Sequence, residues 1–176
     1  MRTHSRLLLF VLPLILILLP TSARALGPGG DLSFGYSRVG ANGFIANTPA
    51  ENGWEAAGHI HLFPFLGGEL DVAHYGLGAA NNLPRTTTVM VGPRVTVGAA
   101  GIHVFGHGLV GVAHSYTVGG PITYSKNDLA GDLGAGVDFG LVPFFAWRVG
   151  GDYITTNHVP ADSSHWRLNT GLVFRF

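Results

Sequence analysis

The last eleven residues of the chain, Trp166-Arg167-Leu168-Asn169-Thr170-Gly171-Leu172-Val173-Phe174-Arg175-Phe176, alternate without a break. One parity carries Trp, Leu, Thr, Leu, Phe and Phe, and the other Arg, Asn, Gly, Val and Arg. A period of two is that of a β-strand, whose successive side chains point to opposite faces. The apolar face of a soluble strand turns to a core. A strand that ends a chain on alternating aromatic residues instead fits a transmembrane barrel, with lipid on the oily side and a lumen on the polar side. Such a strand obliges the rest of the chain to supply the partners that close the sheet.

At the other end, Arg2 and Arg6 precede an apolar run from Leu7 to Pro20, and Ala23-Arg24-Ala25 supplies small residues in an A-x-A arrangement. Together these predict a secretory signal peptide over residues 1–25, with Ala23 and Ala25 marking the cleavage site. The run is about 14 residues long and interrupted by Pro13, against the ~20 that a membrane-spanning helix needs, so an anchoring helix is the poorer reading.

Cleavage leaves residues 26–176, enough for one domain. The ten basic and ten acidic residues become 7 and 10 once Arg2, Arg6 and Arg24 are removed, a formal charge of −3. That balance argues against nucleic acid as a partner. Cysteine is absent although export would permit disulfides, so closure falls to hydrogen bonding and packing. With 27 glycines and 11% charged residues, the chain is too apolar for a disordered tail and too glycine-rich for a helical bundle.

Eight strand candidates follow between turn signals. Leu32 to Tyr36 sets Leu32, Phe34 and Tyr36 against Asp31, Ser33, Gly35 and Ser37. Trp54 to Leu62 sets Trp54, Ile60 and Leu62 against Glu55, His59 and His61, and Gly68 to His74 sets Leu70 and Val72 against Glu69 and Asp71. Thr87 to Val97 sets Val89, Val91, Val95 and Val97 against Met90, Gly92, Arg94 and Thr96, with a bulge expected at Pro93, which donates no hydrogen bond. His103 to Ala113 is ambiguous in its facing. Leu129 to Leu141 sets Leu129, Leu133, Val137 and Phe139 against Asp132, Gly134, Gly136 and Asp138. Phe145 to Thr155 sets Phe145, Trp147, Val149 and Tyr153 against Arg148, Gly150 and Asp152, and the terminal strand is the eighth.

Charged residues keep to one parity in all seven assignable strands, which predicts an all-β, eight-stranded antiparallel up-and-down transmembrane barrel over 26–176. Its connections alternate: 63–66, 98–102 and 140–144 are short, whereas 38–53, 75–86, 114–128 and 156–164 are longer, as in barrels with short periplasmic turns and long outer loops. Aromatic residues sort likewise. Phe63, Phe65, Phe139, Phe144, Phe145, Phe174 and Phe176 gather at the short-turn end, and Tyr36, Trp54, Tyr75, Tyr116, Tyr153 and Trp166 at the other, predicting two interfacial girdles.

Asn169-Thr170-Gly171-Leu172-Val173-Phe174-Arg175-Phe176 resembles the C-terminal β-signal of Gram-negative outer-membrane proteins. The mature chain resembles the small outer-membrane β-barrel family that includes the OmpA transmembrane domain, OmpX and the opacity-type proteins. More narrowly, Val91-Gly92-Pro93-Arg94, Phe105-Gly106-His107 and Leu168 to Phe176 resemble uncharacterised outer-membrane barrel proteins of acidobacteria. The resemblance implies recognition of Asn169, Gly171, Phe174 and Phe176 by the barrel-assembly machinery, and a place in the cell outer membrane among lipid and lipopolysaccharide. It leaves activity open, because the family spans adhesins, structural anchors, small pores and lipid-modifying enzymes.

The histidines suggest metal, since His59 and His61 share one strand face and His103 and His107 another, but a site needs three or four convergent ligands. Polar filler is the better reading, so no metal site and no cofactor are expected. His114-Ser115 and Ser164-His165 bring to mind the lipid A deacylase family of eight-stranded barrels, but adjacent residues on a strand point to opposite faces. No catalytic residue is expected.

Hairpin arithmetic is more informative. Level pairing about the 140–144 turn sets Asp138 opposite Arg148, and about the 156–164 loop Asp152 opposite Arg167. About the 75–86 loop Asp71, or diagonally Glu69, faces Arg94, and closure of the last strand on the first brings Arg175 near Asp31. Glu55 and Asp132 are left without an assigned base toward the long-loop side, which would make a cation-accepting vestibule. The expectation is a monomer with a structural or surface-interaction role and a lumen filled by charged pairs. The alternatives are a small cation-preferring pore and, from the enzyme class, a lipid-modifying barrel.

Deleting Phe176, or replacing it with aspartate, is expected to lower the amount of inserted barrel in cells. The heat-modifiable band of membrane fractions on a gel measures this, and unchanged insertion would refute the assembly role.

Overall fold

Alternation becomes structure as eight strands: β1 (Gly30–Val39), β2 (Glu51–His61), β3 (Leu66–Tyr75), β4 (Pro84–Ala99), β5 (Ile102–Thr117), β6 (Ser125–Val142), β7 (Phe145–Thr156) and β8 (Ser163–Arg175). The structure is a computed structural model and describes residues 29–40, 50–77, 84–117, 125–157 and 163–176. The expected signal peptide, with Ala23 and Ala25, lies outside the described residues, as do the central parts of the four longer connections. Each strand pairs antiparallel with the next, and β8 returns to β1, so the sheet closes with no free edge. Closure leaves the backbone polar groups of each strand two neighbours to bond, the condition for a sheet surrounded by hydrocarbon.

Parity then sorts the side chains. Leu129, Leu133, Leu168 and Leu172 point outward and are 67%, 70%, 65% and 59% exposed, while Arg94 and Arg167 point inward and are 0% exposed. Asp132 and Asp138 are buried, Arg175 is half-buried at the short-turn rim and Val137 is half-buried on the outward face. In β5, whose facing the sequence leaves open, Phe105, His107, Leu109, Ala113 and Ser115 turn inward and Val104, Val110 and Val112 outward.

Outward aromatic residues touch one another near both ends. The ring of Phe174 lies 5.3 Å from Phe145 and 6.3 Å from Phe176, and Tyr153 lies 5.2 Å from Trp166. Tyr75 departs from the expected girdle. It shares the parity of Glu69 and Asp71, points into the lumen, and its hydroxyl stands 3.2 Å from Ser37 Oγ.

Several strands run further than the hydropathy pattern suggests. Thr86 and Ser115, read from sequence as loop, sit in the β4–β5 ladder with their hydroxyls 2.9 Å apart, because pairing to a neighbour continues where the apolar parity fades. The bulge expected at Pro93 does not form. Val91 with Val110 and Arg94 with His107 keep one register on either side of it, and Pro93 still pairs with Gly68 on β3. A residue's N–H serves one neighbouring strand only, so the missing donor interrupts the β5 side and leaves the β3 side intact. The irregularity lies instead between Gly140 and Val142 in β6. The β4–β5 turn is Ala100-Gly101, with φ of 52° and 86°, the positive values that a two-residue hairpin requires.

Replacing Leu172 with arginine is expected to destabilise the barrel by about 2–4 kcal/mol if the residue lies near the bilayer midplane. Denaturant unfolding in lipid vesicles measures the loss, and a neutral result would refute the outward assignment.

Candidate functional site

The lumen is the place where chemistry-bearing side chains converge, and strand register explains how. Arg94 pairs with His107, His107 with Gly134, Gly134 with Asp152 and Asp152 with Arg167, one level row across β4 to β8. Gly134 contributes no side chain, so His107 Nε2 reaches across it to within 3.2 Å of Asp152 Oδ1. A Cβ at Gly134 would meet that oxygen at 2.0 Å.

A second row holds Asp138, Arg148, Gly171, Gly35 and Glu55. Arg148 grips Asp138 with both ends of its fork, Nε to Oδ1 at 2.8 Å and Nη2 to Oδ2 at 3.0 Å. Its guanidinium then extends over the seam between β8 and β1, donating to Ser33 Oγ at 3.0 Å and Asp31 Oδ1 at 3.2 Å. Gly171 and Gly35 face each other at that seam, and a Cβ on either would stand 2.6 Å from the Cα of the other. Gly171 therefore has a packing role beside the one that resemblance to the β-signal implies.

Arg167 is the centre of the network. Nε donates to Asp152 at 2.5 Å, Nη2 to Asp132 at 2.7 Å and Nη1 to Asp71 at 3.1 Å, and Glu55 lies 3.5 Å from Nη1. Asn169 Nδ2 also donates to Asp152, at 2.8 Å. Arg94 meets Glu69 at 3.1 Å, with Asp31 and Asp138 each at 3.6 Å. The Phe105 ring lies between two cations, 4.0 Å from the Arg94 guanidinium and 4.5 Å from that of Arg148. Seven buried carboxylates (Asp31, Glu55, Glu69, Asp71, Asp132, Asp138 and Asp152) thus surround three buried guanidiniums.

Lysine would serve these places poorly, because the planar fork lets one cation satisfy several carboxylates at once. On the long-loop side the network meets an apolar cluster that includes Val39, Tyr75, Met90, Leu109 and Ile154. On the short-turn side a mouth of about 650 Å³ opens, lined by His61, His103, Arg175 and turn residues.

Hairpin arithmetic located Asp138 with Arg148 and Asp152 with Arg167, and these side chains are in direct contact. The alternative offered for Arg94 resolves to one partner, and the remaining pairings differ. Arg94 takes the diagonal Glu69, while Asp71 turns across the lumen to Arg167 on β8. Arg175 is the backbone partner of Asp31, but its Nη2 approaches Asp138 at 3.5 Å, and Asp31 is held by His59 Nδ1 at 3.0 Å and by Arg148. Glu55 and Asp132, expected to lack a base and to line a long-loop vestibule, both lie against Arg167. The mouth seen among the described residues is at the other end and is lined by His61, His103 and Arg175 rather than by carboxylates. One cause underlies these differences: across so narrow a barrel, opposite strands are within side-chain reach, so level pairing is one contact among several.

The adjacent His and Ser residues point to opposite faces, as expected. His114 is exposed and Ser115 buried, Ser164 exposed and His165 buried, so neither pair forms a dyad. His61 turns its Nδ1 to the Gly29 carbonyl and His59 its Nδ1 to Asp31, and among the described residues neither belongs to a group of three convergent ligands. His103 lines the mouth while His107 lies in the network, beside Asp132 and Asp152. That last grouping spans three strands, and only the joint register of β5, β6 and β7 could have revealed it.

No protein-family model matches the chain, and no curated protein matches it in sequence. Solved structures do match its shape. Neisserial surface protein A (NspA) is 10% identical with a TM-score of 0.65, over 84% of this chain and 96% of that one. Ail, the attachment invasion locus protein of Yersinia pestis, is 18% identical with a TM-score of 0.57, over 86% and 100%. The N-terminal β-barrel domain of Pseudomonas aeruginosa OprF is 14% identical with a TM-score of 0.58, over 84% and 96%. Ail has also been solved as an outer membrane protein in a phospholipid bilayer nanodisc, with a TM-score of 0.51 and 18% identity, over 85% and 100%. At these identities the likeness is one of fold, and the fold is that of transmembrane barrels.

Changing Arg148 to methionine alone is expected to cost roughly 3–5 kcal/mol, since it strands buried carboxylates, whereas Asp138→Asn combined with Arg148→Met should cost less than the sum of the single changes. A double-mutant cycle by denaturant unfolding measures this, and additive losses would argue against the pair.

Proposed function

We propose that this chain is an exported outer-membrane barrel that does not conduct, and that it serves a structural or surface-interaction role through its four longer connections. The carrying observation is the inversion of its two surfaces: bulky apolar residues cover the outside, and side chains of both charges fill the inside. A face bearing Phe34, Leu70, Val110, Leu133 and Leu172, each at least half exposed, has hydrocarbon as its natural surroundings. The signal-peptide pattern supports export. The terminal β-signal supports handling by the barrel-assembly machinery through Asn169, Gly171, Phe174 and Phe176. Partners on this reading are outer-membrane lipid and lipopolysaccharide, and the working unit is a monomer.

Non-conduction rests on the filling. Arg94 and Arg148 lie against the Phe105 ring, Arg167 reaches the Tyr75 hydroxyl, and all five side chains are between 0% and 4% exposed. Moving an ion through would require breaking charge-assisted hydrogen bonds in a poorly hydrated interior, at a cost of several kcal/mol. The cation-preferring pore has less support, because Glu55 and Asp132, the two carboxylates that suggested it, are engaged by Arg167. The lipid-modifying enzyme draws no support from His114-Ser115 or Ser164-His165, whose members point to opposite faces. A surface role agrees with what NspA and Ail are named for, a surface protein and an attachment protein.

Cell fractionation with whole-cell protease treatment should place the chain in the outer membrane, with cuts confined to the longer connections. In planar bilayers the purified barrel should give no stepwise current. Recovery from the inner membrane or cytosol would overturn the location, and reproducible single-channel steps would overturn the closed lumen.

A further inference from the structure

We propose that His107, Asp132 and Asp152 form a binding site for a divalent first-row transition ion inside the barrel. The three residues come from adjacent strands, β5, β6 and β7, and each offers one atom to a common point, with all three atoms within 4.8 Å of one another. His107 Nε2 lies 3.2 Å from Asp152 Oδ1 and 3.8 Å from Asp132 Oδ1. Ligands at ~2.0–2.2 Å from a zinc-sized ion stand roughly 3 Å apart, so the donors need only a small inward rotation to hold one.

Three independent features point to a cation. First, His107 is 7% exposed and both of its nitrogens face carboxylates, Nδ1 at 3.2 Å from Glu69 and Nε2 at 3.2 Å from Asp152 and 3.8 Å from Asp132. Nε2 and the two Oδ1 atoms therefore face one another in a buried space, where a proton on Nε2 would serve chiefly Asp152 and a metal ion would join all three. Second, the surrounding shell is oriented. Arg167 holds the other oxygen of each carboxylate, at 2.5 Å for Asp152 and 2.7 Å for Asp132, which turns both Oδ1 atoms toward the imidazole. Glu69 Oε1 lies 3.2 Å from His107 Nδ1, where a carboxylate would keep the proton on Nδ1 and leave Nε2 free to ligate. Third, Gly134 supplies the space. It stands level between His107 and Asp152, and a Cβ there would come within 2.3 Å of Nε2.

Charge accounting agrees, since the buried network has seven carboxylates against three guanidiniums and a divalent ion reduces the surplus. One imidazole and two carboxylates suit zinc, manganese or iron better than magnesium or calcium, which prefer oxygen alone. With Asp132 at 5% and Asp152 at 1% exposure the ion has no open route from outside, so it enters as the barrel closes and links three strands.

The test refolds the untagged mature chain into detergent micelles with Zn²⁺ or Mn²⁺, removes free metal by gel filtration, and counts metal per folded chain by mass spectrometry. About one ion per chain is expected. His107→Gln and Gly134→Ala should lose it, and His114→Gln, at an exposed histidine outside the lumen, should keep it. Absence of retained metal in the unmutated barrel, or retention by His107→Gln, would overturn the site. Should the variants fail to fold, nitrogen NMR of the unmutated imidazole decides. A shift of Nε2 on adding Zn²⁺ during refolding, with Nδ1 still protonated, supports the site. A doubly protonated ring unchanged by metal would show an imidazolium bridging the carboxylates and would overturn it.

Discussion

Closure of β8 onto β1 is the constraint on which the other features rest. A sheet edge left open in hydrocarbon would strand a row of N–H and C=O groups, each worth several kcal/mol, so the chain must bring its ends together. Once closed, the sheet has an inside too narrow for water to solvate its seven carboxyl groups and three guanidiniums freely. Every charge on the inward parity must then find its partner among the other inward residues. That is why Arg167, 0% exposed, contacts four carboxylates from β2, β3, β6 and β7 rather than one.

Glycine decides where those contacts are possible. Gly134 lets His107 and Asp152 meet across a strand, and Gly35 opposite Gly171 lets the Arg148 guanidinium lie over the seam to reach Asp31. The abundance of glycine reads from composition as a general allowance for a small lumen. In the structure particular glycines are the openings through which long side chains pass, and a single methyl group at Gly134 would meet Asp152 Oδ1. The network is therefore specified as much by missing side chains as by charged ones.

The same narrowness shapes function. A wide lumen lined with unpaired carboxylates would invite cations through it, whereas this one is occupied by its own guanidiniums and by the Phe105 ring between two of them. On the proposed reading such an interior leaves the mouths and the connections as the parts available to other molecules. It also confines any ion held by His107, Asp132 and Asp152 to a structural part, joined to folding rather than to transport.

Strand number, antiparallel order and the facing of seven strands were legible in the sequence, because a period of two is local and each residue's face follows from its neighbours. Level pairs across a turn were legible as well: Asp138 with Arg148 and Asp152 with Arg167 follow from counting about two connections. The same parity would have placed Tyr75 in the lumen had it been applied to the end of β3. Only the tertiary structure decided which of several candidates each arginine takes, why Arg175 turns from its backbone partner Asp31 toward Asp138, and that His107 meets two aspartates. Those choices depend on strand tilt and on the short distance across the closed barrel, which bring side chains far apart in sequence together and which no local pattern encodes.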